Sequence, residues 1–278
     1  MSYTKYDDET LKHLQNVELM ILNEFIRICD ENNLIYYMYA GSLLGAIRHK
    51  GFIPWDDDLD VVMYRKDFEK FKEIFIALNH EKLELLCNET ESEYFYLLSK
   101  LMLKGTRFEE SWLNQVDFHI GINIDIFVLD DLADNKLKRF YQLRKSFWYN
   151  KMLIMSSVKL EDLPLVSKLF SHTIYHVLRF FNVRPKTIYN KCLKFLKKYA
   201  DSDSNDLFDI SATAKEYPLI FRKKDFSSVK KVKFEDIEVS VPVNYDYILK
   251  SLYGDYMELP PVEERYNHPI ENLDFGEY

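Results

Sequence analysis

Residues 51–64 read GFIPWDDDLDVVMY, and carboxylates at Asp56, Asp57, Asp58 and Asp60 lead straight into Val61, Val62 and Met63. An apolar run of β-formers belongs in a sheet core, where an unpaired carboxylate loses its hydration at high cost. Strand periodicity resolves the conflict. Positions i and i+2 project from one face, so Asp58 and Asp60 share a face while Leu59 and Val61 point the other way, into the core. Two carboxylates on one face suit a hard divalent cation, which takes oxygen ligands, often one or two carboxylates plus substrate phosphates. Asp56 and Asp57 precede the strand and are left outside that account. They are expected to cap the loop or pair with Arg48, and to matter less than Asp58 or Asp60.

The neighbouring segments extend the pattern. Apolar residues at helical spacing predict a helix over 7–32, followed by a strand in LIYYMYAG that Gly41 stops, and a short helix N-capped by Ser42. A loop marked by Gly51 and Pro54, the strand LDVVMY and the helix RKDFEKFKEIFIALNH follow. YFYLLSKLML and GINIDIFVLD read as further strands, and the second sets Asp125 between core-facing Ile124 and Ile126. Asp125 is therefore the third acid expected to join Asp58 and Asp60. Gly41 lets a phosphate approach the backbone, and a helix start offers free N–H groups to it. A strand, Gly-Ser at a helix start and Asp-x-Asp on the next strand form a phosphoryl-transfer constellation, with Ser42 and the amides holding phosphate and the metal neutralising its charge. Seven glycines and no P-loop motif argue against a Gly-rich nucleotide loop. Beyond residue 135 the chain turns helical, basic and aromatic to about 200. A polar loop, DSDSNDLFDISATAKE, the strand-like VKKVKFEDIEVSVP, a short helix YDYILKSLYG and an extended tail then follow. The order predicts an α+β fold, a small mixed β-sheet flanked by helices with an inserted helical subdomain. The expected division is a catalytic core over 1–134, a basic insert over 135–205 and a C-terminal part over 206–278 that returns to the core.

The stretch AGSLLGAIRHKGFIPWDDDLDVVMYRKDFEKF resembles the signature of the LicD family, phosphocholine transferases of bacterial surface glycans, as do INIDIFVLDDL and YGDYMELPPVEERYNH. The likeness brackets almost the whole chain and leaves residues 135–240 poorly matched. It implies a nucleotidyltransferase-like fold, although LLGAIRHKGFIPWDD makes a longer gap between Ser42 and Asp58 than the wider superfamily has. It also implies transfer of phosphocholine from CDP-choline to a sugar hydroxyl of a teichoic acid or other surface glycan, releasing CMP. Phosphoglycerol or phosphoribitol transfer from CDP-glycerol or CDP-ribitol, and nucleotidyl transfer releasing pyrophosphate, are the alternatives. By the resemblance, Asp58 and Asp60 bind Mg²⁺ (or Mn²⁺), with Asp125 as third ligand or as general base. Gly41 and Ser42 hold the donor. Arg48 contacts donor phosphate or pairs with Asp56 or Asp57, and Lys100 meets a donor phosphate or snorkels from a strand edge. Arg265 and His268 touch donor or acceptor, or lie on a surface tail. Trp55 stacks on the base or choline or anchors its loop. Tyr37 and Trp112, with Tyr36 and Tyr39, are the other aromatic candidates for a quaternary ammonium.

Charge is unevenly spread. Residues 136–200 hold 15 Lys and Arg against Glu161 and Asp162, a net +13 in a chain of net charge −8. An acidic remainder opposes nucleic acid. The insert is expected to meet an anionic membrane surface, consistent with a lipid-linked acceptor, or else to be a solvated helical subdomain. Cys29, Cys87 and Cys192 form neither a disulfide framework nor a zinc spacing, and the polar N-terminus does not read as a signal peptide. The expected location is cytoplasmic, with a peripheral place on the inner membrane face as its extension. An acidic cation-binding scaffold without turnover is the non-enzymatic reading.

Overall fold

A computed structural model describes residues 6–161, 163–200, 204–211 and 219–278, with the side chains of Ser111 and Trp112 outside the description. The first amphipathic segment forms α1 (Asp8–Glu31), where the Asp7 carboxylate accepts from the Thr10 N–H at 2.7 Å. Its apolar stripe, Leu14, Ile21, Leu22 and Phe25, is fully buried. The chain continues through β1 (Tyr36–Met38), α2 (Ala40–Arg48), β2 (Asp60–Tyr64), α3 (Arg65–Leu78), β3 (Leu83–Leu86), β4 (Ser99–Leu103), β5 (Arg107–Glu110) and β6 (Asn123–Asp131). Three helices follow, α4 (Lys136–Ser157), α5 (Leu165–Phe180) and α6 (Pro185–Leu196). The rest comprises β7 (Asp206–Asp209), β8 (Leu219–Arg222), β9 (Val229–Phe234), β10 (Ile237–Pro242), α7 (Tyr245–Tyr253) and β11 (Ile270–Asp274).

The fold is α+β. Its central sheet runs β1-β2-β6-β4-β3, and β7 pairs with the far end of β6 and carries β8. β2 and β6 are parallel and the other pairs antiparallel, so the sheet is mixed. One large apolar core joins α1, α2, α3 and the sheet, while a second lies under α4 and α6 around Tyr94, Phe95, Leu153 and Phe208.

Three sequence expectations change. Helix α2 begins at Ala40, not Ser42: Tyr39 accepts from the Leu43 N–H at 2.9 Å, and the Ser42 hydroxyl is turned away from capping by a different hydrogen bond. The polar segment after residue 200 contains β7, because Leu207 and Phe208 are buried to 1% and 0% exposure on a strand too short to show an alternation. VKKVKFEDIEVSVP is the hairpin β9–β10, turned at Glu235 with φ 53°.

Asp209, 1% exposed at the end of β7, accepts from the Ser211 N–H (2.8 Å), the Ser211 hydroxyl (2.5 Å) and the Tyr39 hydroxyl (3.1 Å). Burial outweighs these bonds and pushes its carboxyl up from 3.8 to about 6. Between those values the folded chain keeps a proton that the unfolded chain releases, so stability falls as pH rises through that window. Asp209→Asn is expected to flatten the fall and to raise stability at pH 7 by roughly 2 kcal/mol. Thermal unfolding at pH 4.5 and pH 7 checks this, and an unchanged pH slope in the variant would count against it.

Candidate functional site

Strand register assembles the site. Asp60 opens β2 and stands opposite Asp125 in the parallel β2–β6 pair, while Lys100 of β4 stands opposite Asp125 from the other side. Directly paired residues share a face, so Asp60, Asp125 and Lys100 form one row across three strands. Lys100 Nζ donates to Asp125 Oδ1 at 2.5 Å and to Asn123 Oδ1 at 3.2 Å. Lys100 therefore interrupts its apolar run to meet a carboxylate on the next strand. Asp58 lies just before β2, and Leu59, 1% exposed, points into the core as the alternation requires.

Helix α1 closes one side and brings an acid that the sequence reading passed over. Glu18, 1% exposed, occupies a core-facing position of the stripe formed by Leu14, Ile21 and Phe25, and its Oε2 has no hydrogen-bond partner among the described residues. An acid at a core position of an otherwise apolar helical stripe is a legible signal. One turn back, Gln15 Nε2 donates to the Asp56 carbonyl at 2.9 Å and fixes the acidic loop to α1. Gly41 stands where a Cβ would come within 3.0 Å of Asp56 Oδ2. The Ser42 hydroxyl accepts from the Asp60 N–H at 2.7 Å, tying the start of α2 to the start of β2 while its own proton stays available to donate.

The C-terminal segment forms the other side. Asp57, fully buried, accepts from the His268 N–H at 3.0 and 3.1 Å and from His268 Nδ1 at 3.0 Å, which leaves Nε2 at 3.9 Å from Asp58 Oδ2. Asn267 donates to the Trp55 carbonyl at 2.6 Å, and the Arg265 guanidinium lies 4.6 Å from the centre of the Trp55 ring. Arg48 donates to the carbonyls of Tyr256 (2.8 Å) and Glu258 (3.1 Å), and β11 pairs with β5. The tail thus returns to the acids. Arg48 pins that return and does not pair with Asp56 or Asp57, whose loop instead receives His268. Trp55 anchors Arg265 and Asn267. Tyr37 is a core residue, 2% exposed, donating to the Phe226 carbonyl at 2.6 Å with its ring edge-on to Phe226, so it offers no face to a ligand. Tyr36 and Tyr39 are equally buried. The Trp112 side chain lies outside the described residues.

A cavity of about 170 Å³ opens among Glu18, Asp58, Lys100, Asp125 and His268, walled by Tyr96 and Phe108. Burial, and then mutual repulsion, hold Glu18, Asp56 and Asp60 well above the usual carboxylate range, and Asp58 is raised by burial against the pull of His268. Among the described residues, no three acidic, histidine or cysteine side chains converge as a finished metal-ligand set. The donor chemistry nonetheless fits an oxygen-seeking divalent cation. Carboxylates outnumber the cationic groups Lys100 and His268, Asp60 has no ion-pair partner among the described residues, and a buried Glu18 oxygen is unpartnered.

His268 itself is pushed up to about 10, first by its hydrogen bond to Asp57 and next by the charge of Asp58, after burial has pulled the other way. A folded value raised above 6.5 gives stabilisation that is complete below that pH and is lost as pH climbs through about 10. The side chain is 45% exposed, so solvent screens the pair and the amount is about 1 kcal/mol. His268→Gln is expected to unfold with a shallower loss of stability from pH 6 to pH 10 than the parent chain. Parallel losses in the two proteins would contradict the pairing.

Residues 33–101 match the family described as LicD/FKTN/FKRP, nucleotidyltransferase domain. The lipopolysaccharide cholinephosphotransferase LicD of Haemophilus influenzae is 31% identical over 267 residues, 94% of this chain and 97% of that protein. Shorter matches join uncharacterized proteins of Rickettsia typhi (33% identical over 76 residues, 25% of each chain) and Rickettsia prowazekii (31% over 98 residues, 33% of this chain and 36% of the other).

Proposed function

The chain belongs to the LicD family, and from that premise we propose that it is a phosphotransferase moving phosphocholine from CDP-choline to a sugar hydroxyl of a cell-surface glycan, a lipopolysaccharide or teichoic acid, with release of CMP. The observation that carries the reading is the cavity lined by Asp58, Asp125, Lys100 and His268, with Asp60 beside Asp125 in the cross-strand row. Its support from outside the chain is likeness over nearly the full length to a protein whose name is cholinephosphotransferase. Gly41-Ser42 in the first turn of α2, followed by the acids at the start of β2, supports a nucleotidyltransferase-like assignment of the mixed sheet.

In the proposed reaction the acceptor hydroxyl oxygen forms a bond to the choline-bearing phosphorus, and the bond from that phosphorus to the CMP oxygen breaks. The hydroxyl proton passes to a carboxylate. We assign that role to Asp125, whose carboxylate Lys100 holds at the cavity, and leave Asp58 and Asp60, with Glu18 beside them, to hold Mg²⁺ or Mn²⁺. The cation supplies charge neutralisation at the donor phosphates. Lys100 offers an ammonium to a donor phosphate from the same row, and the Ser42 hydroxyl proton remains a donor to it. His268 places a second positive charge beside Asp58.

Phosphorus NMR tests the proposal. The protein, Mg²⁺, a glycan acceptor and CDP-choline are expected to yield CMP and a new phosphodiester, and a chelator is expected to stop both. A product only from CDP-glycerol or CDP-ribitol reassigns the transferred group, and pyrophosphate from a nucleoside triphosphate reassigns the reaction. No turnover with any donor overturns the enzymatic reading in favour of a cation-binding scaffold.

A further inference from the structure

Helix α5 wears its apolar stripe on the outside. Val166, Leu169, Phe170, Val177 and Phe180, spaced 3, 1, 7 and 3 residues apart, are 80%, 61%, 51%, 48% and 83% exposed. That is helical spacing on one face, and the opposite face buries Ser171 and Leu178. The next residue, Phe181, is 69% exposed. On α4, against which α5 packs, Leu137, Phe140, Tyr141 and Trp148 are also exposed. A soluble helix ordinarily turns such a stripe inward, and exposed apolar patches of this extent mark interaction surfaces.

Charge selects the partner. Helices α4, α5 and α6 contain no aspartate or glutamate, although Lys and Arg recur through all three. Glu161, in the loop between α4 and α5, is paired to Lys168 at 2.5 Å. The whole segment 136–200 is +13. A surface both apolar and strongly cationic fits a partner with an apolar interior under an anionic skin, which is an anionic lipid bilayer. A second copy of the chain would bring the same positive segment against itself, and nucleic acid has no use for an aliphatic and phenylalanine stripe. Sixteen residues make a helix of roughly 24 Å, and no helix among the described residues is long and apolar enough to cross a membrane.

We propose that α5 is a peripheral membrane-docking helix, lying in the plane of an anionic bilayer with Val166, Leu169, Phe170, Val177 and Phe180 below the headgroups and the lysines and arginines of α4–α6 against them. The docking is independent of the transfer reaction and is measured without substrate. Full-length protein is sedimented with vesicles of phosphatidylcholine alone and of phosphatidylcholine with phosphatidylglycerol. Binding is expected to be at least about tenfold stronger to the anionic vesicles and to weaken, without vanishing, in 0.5 M salt. Phe170→Asp combined with Phe180→Asp is expected to lower that binding about tenfold, with the melting temperature unchanged because both side chains are exposed. The difference in emission between Phe170→Trp and the parent chain, which share Trp55, Trp112 and Trp148, is expected to shift to the blue on anionic vesicles. Equal binding by the aspartate variant, or an unshifted difference emission, would falsify insertion of α5. A dimer in sedimentation velocity that the same variant abolishes, with no vesicle binding, would assign the stripe to self-association and overturn the proposal as well.

Discussion

Asp60→Asn is expected to lower the transfer rate by about a thousandfold while making the protein more stable in the absence of divalent metal. The two effects have one source. Asp60 is 7% exposed and has no ion-pair partner among the described residues, yet Asp58, Asp125 and Asp56 all act on it. In the folded chain without a cation its charge is a liability, and its carboxyl is held well above the usual range by burial and by those neighbours. An amide of the same shape removes the repulsion, for a gain of about 1–2 kcal/mol. Under the proposed function the same charge is what a bound cation requires, so catalysis is expected to go with it. Added Mg²⁺ is expected to raise the melting temperature of the parent chain and to leave that of Asp60→Asn nearly unmoved, since only a state that binds the ion gains from it. Asp58→Asn is expected to follow in rate, with a smaller gain in stability because its side chain is 32% exposed and faces His268. Retention of transfer within about tenfold in both variants would remove the two acids from the centre of the chemistry.

The orientation of Asp60 was legible because strand alternation leaves an acid next to Val61 only one way to point, whereas Asp58 lies before the strand and its sharing of a metal with Asp60 belongs to the proposed function. Asp125 was legible for the same reason, an acid inside the Ile124–Ile126 alternation, and the parallel register then sets it beside Asp60. The return of the tail could be read only from family likeness. The contacts that make it, Arg48 to Tyr256 and Asp57 to His268, span 208 and 211 residues, and no local pattern encodes them. Asp57 was undervalued on that account: it looked like surplus charge and is a fully buried acceptor for three hydrogen bonds from His268. Tyr37 failed in the other direction. An aromatic in a strand has the same signature whether it packs or forms a cage, and tertiary neighbours such as Phe226 decide. Glu18 was overlooked because one acid in a helical stripe is easily taken as a solvated flank. The stripe of α5 is the complement of that case, since periodicity reports that apolar residues share a face and not whether that face meets a core or solvent.

Lys100→Met and Asp125→Asn carry the second large effect, and together they separate charge balance from donor contact. Lys100 and Asp125 are 15% and 18% exposed at their side chains and 2.5 Å apart. Removing the ammonium leaves Asp125 beside Asp58 and Asp60 without its partner, and Lys100→Met is expected to lose about 2 kcal/mol of stability at neutral pH and a hundredfold or more in rate. Asp125→Asn is expected to lose about a thousandfold in rate if it takes the acceptor proton as proposed, with a smaller loss of stability because Asn123 still accepts from Lys100. The double variant is the informative one. If Lys100 serves only to balance Asp125, removing both charges restores stability, and the rate of the double variant equals that of Asp125→Asn alone. If Lys100 also meets the donor phosphate, stability returns while the KM for the CDP-activated donor rises beyond that of Asp125→Asn. Lys100 lines the same cavity as Asp58, Asp125 and Glu18, where the proposed function sets the donor phosphate, so the second outcome is the one expected. A double variant with the donor KM of Asp125→Asn would confine Lys100 to holding its neighbour.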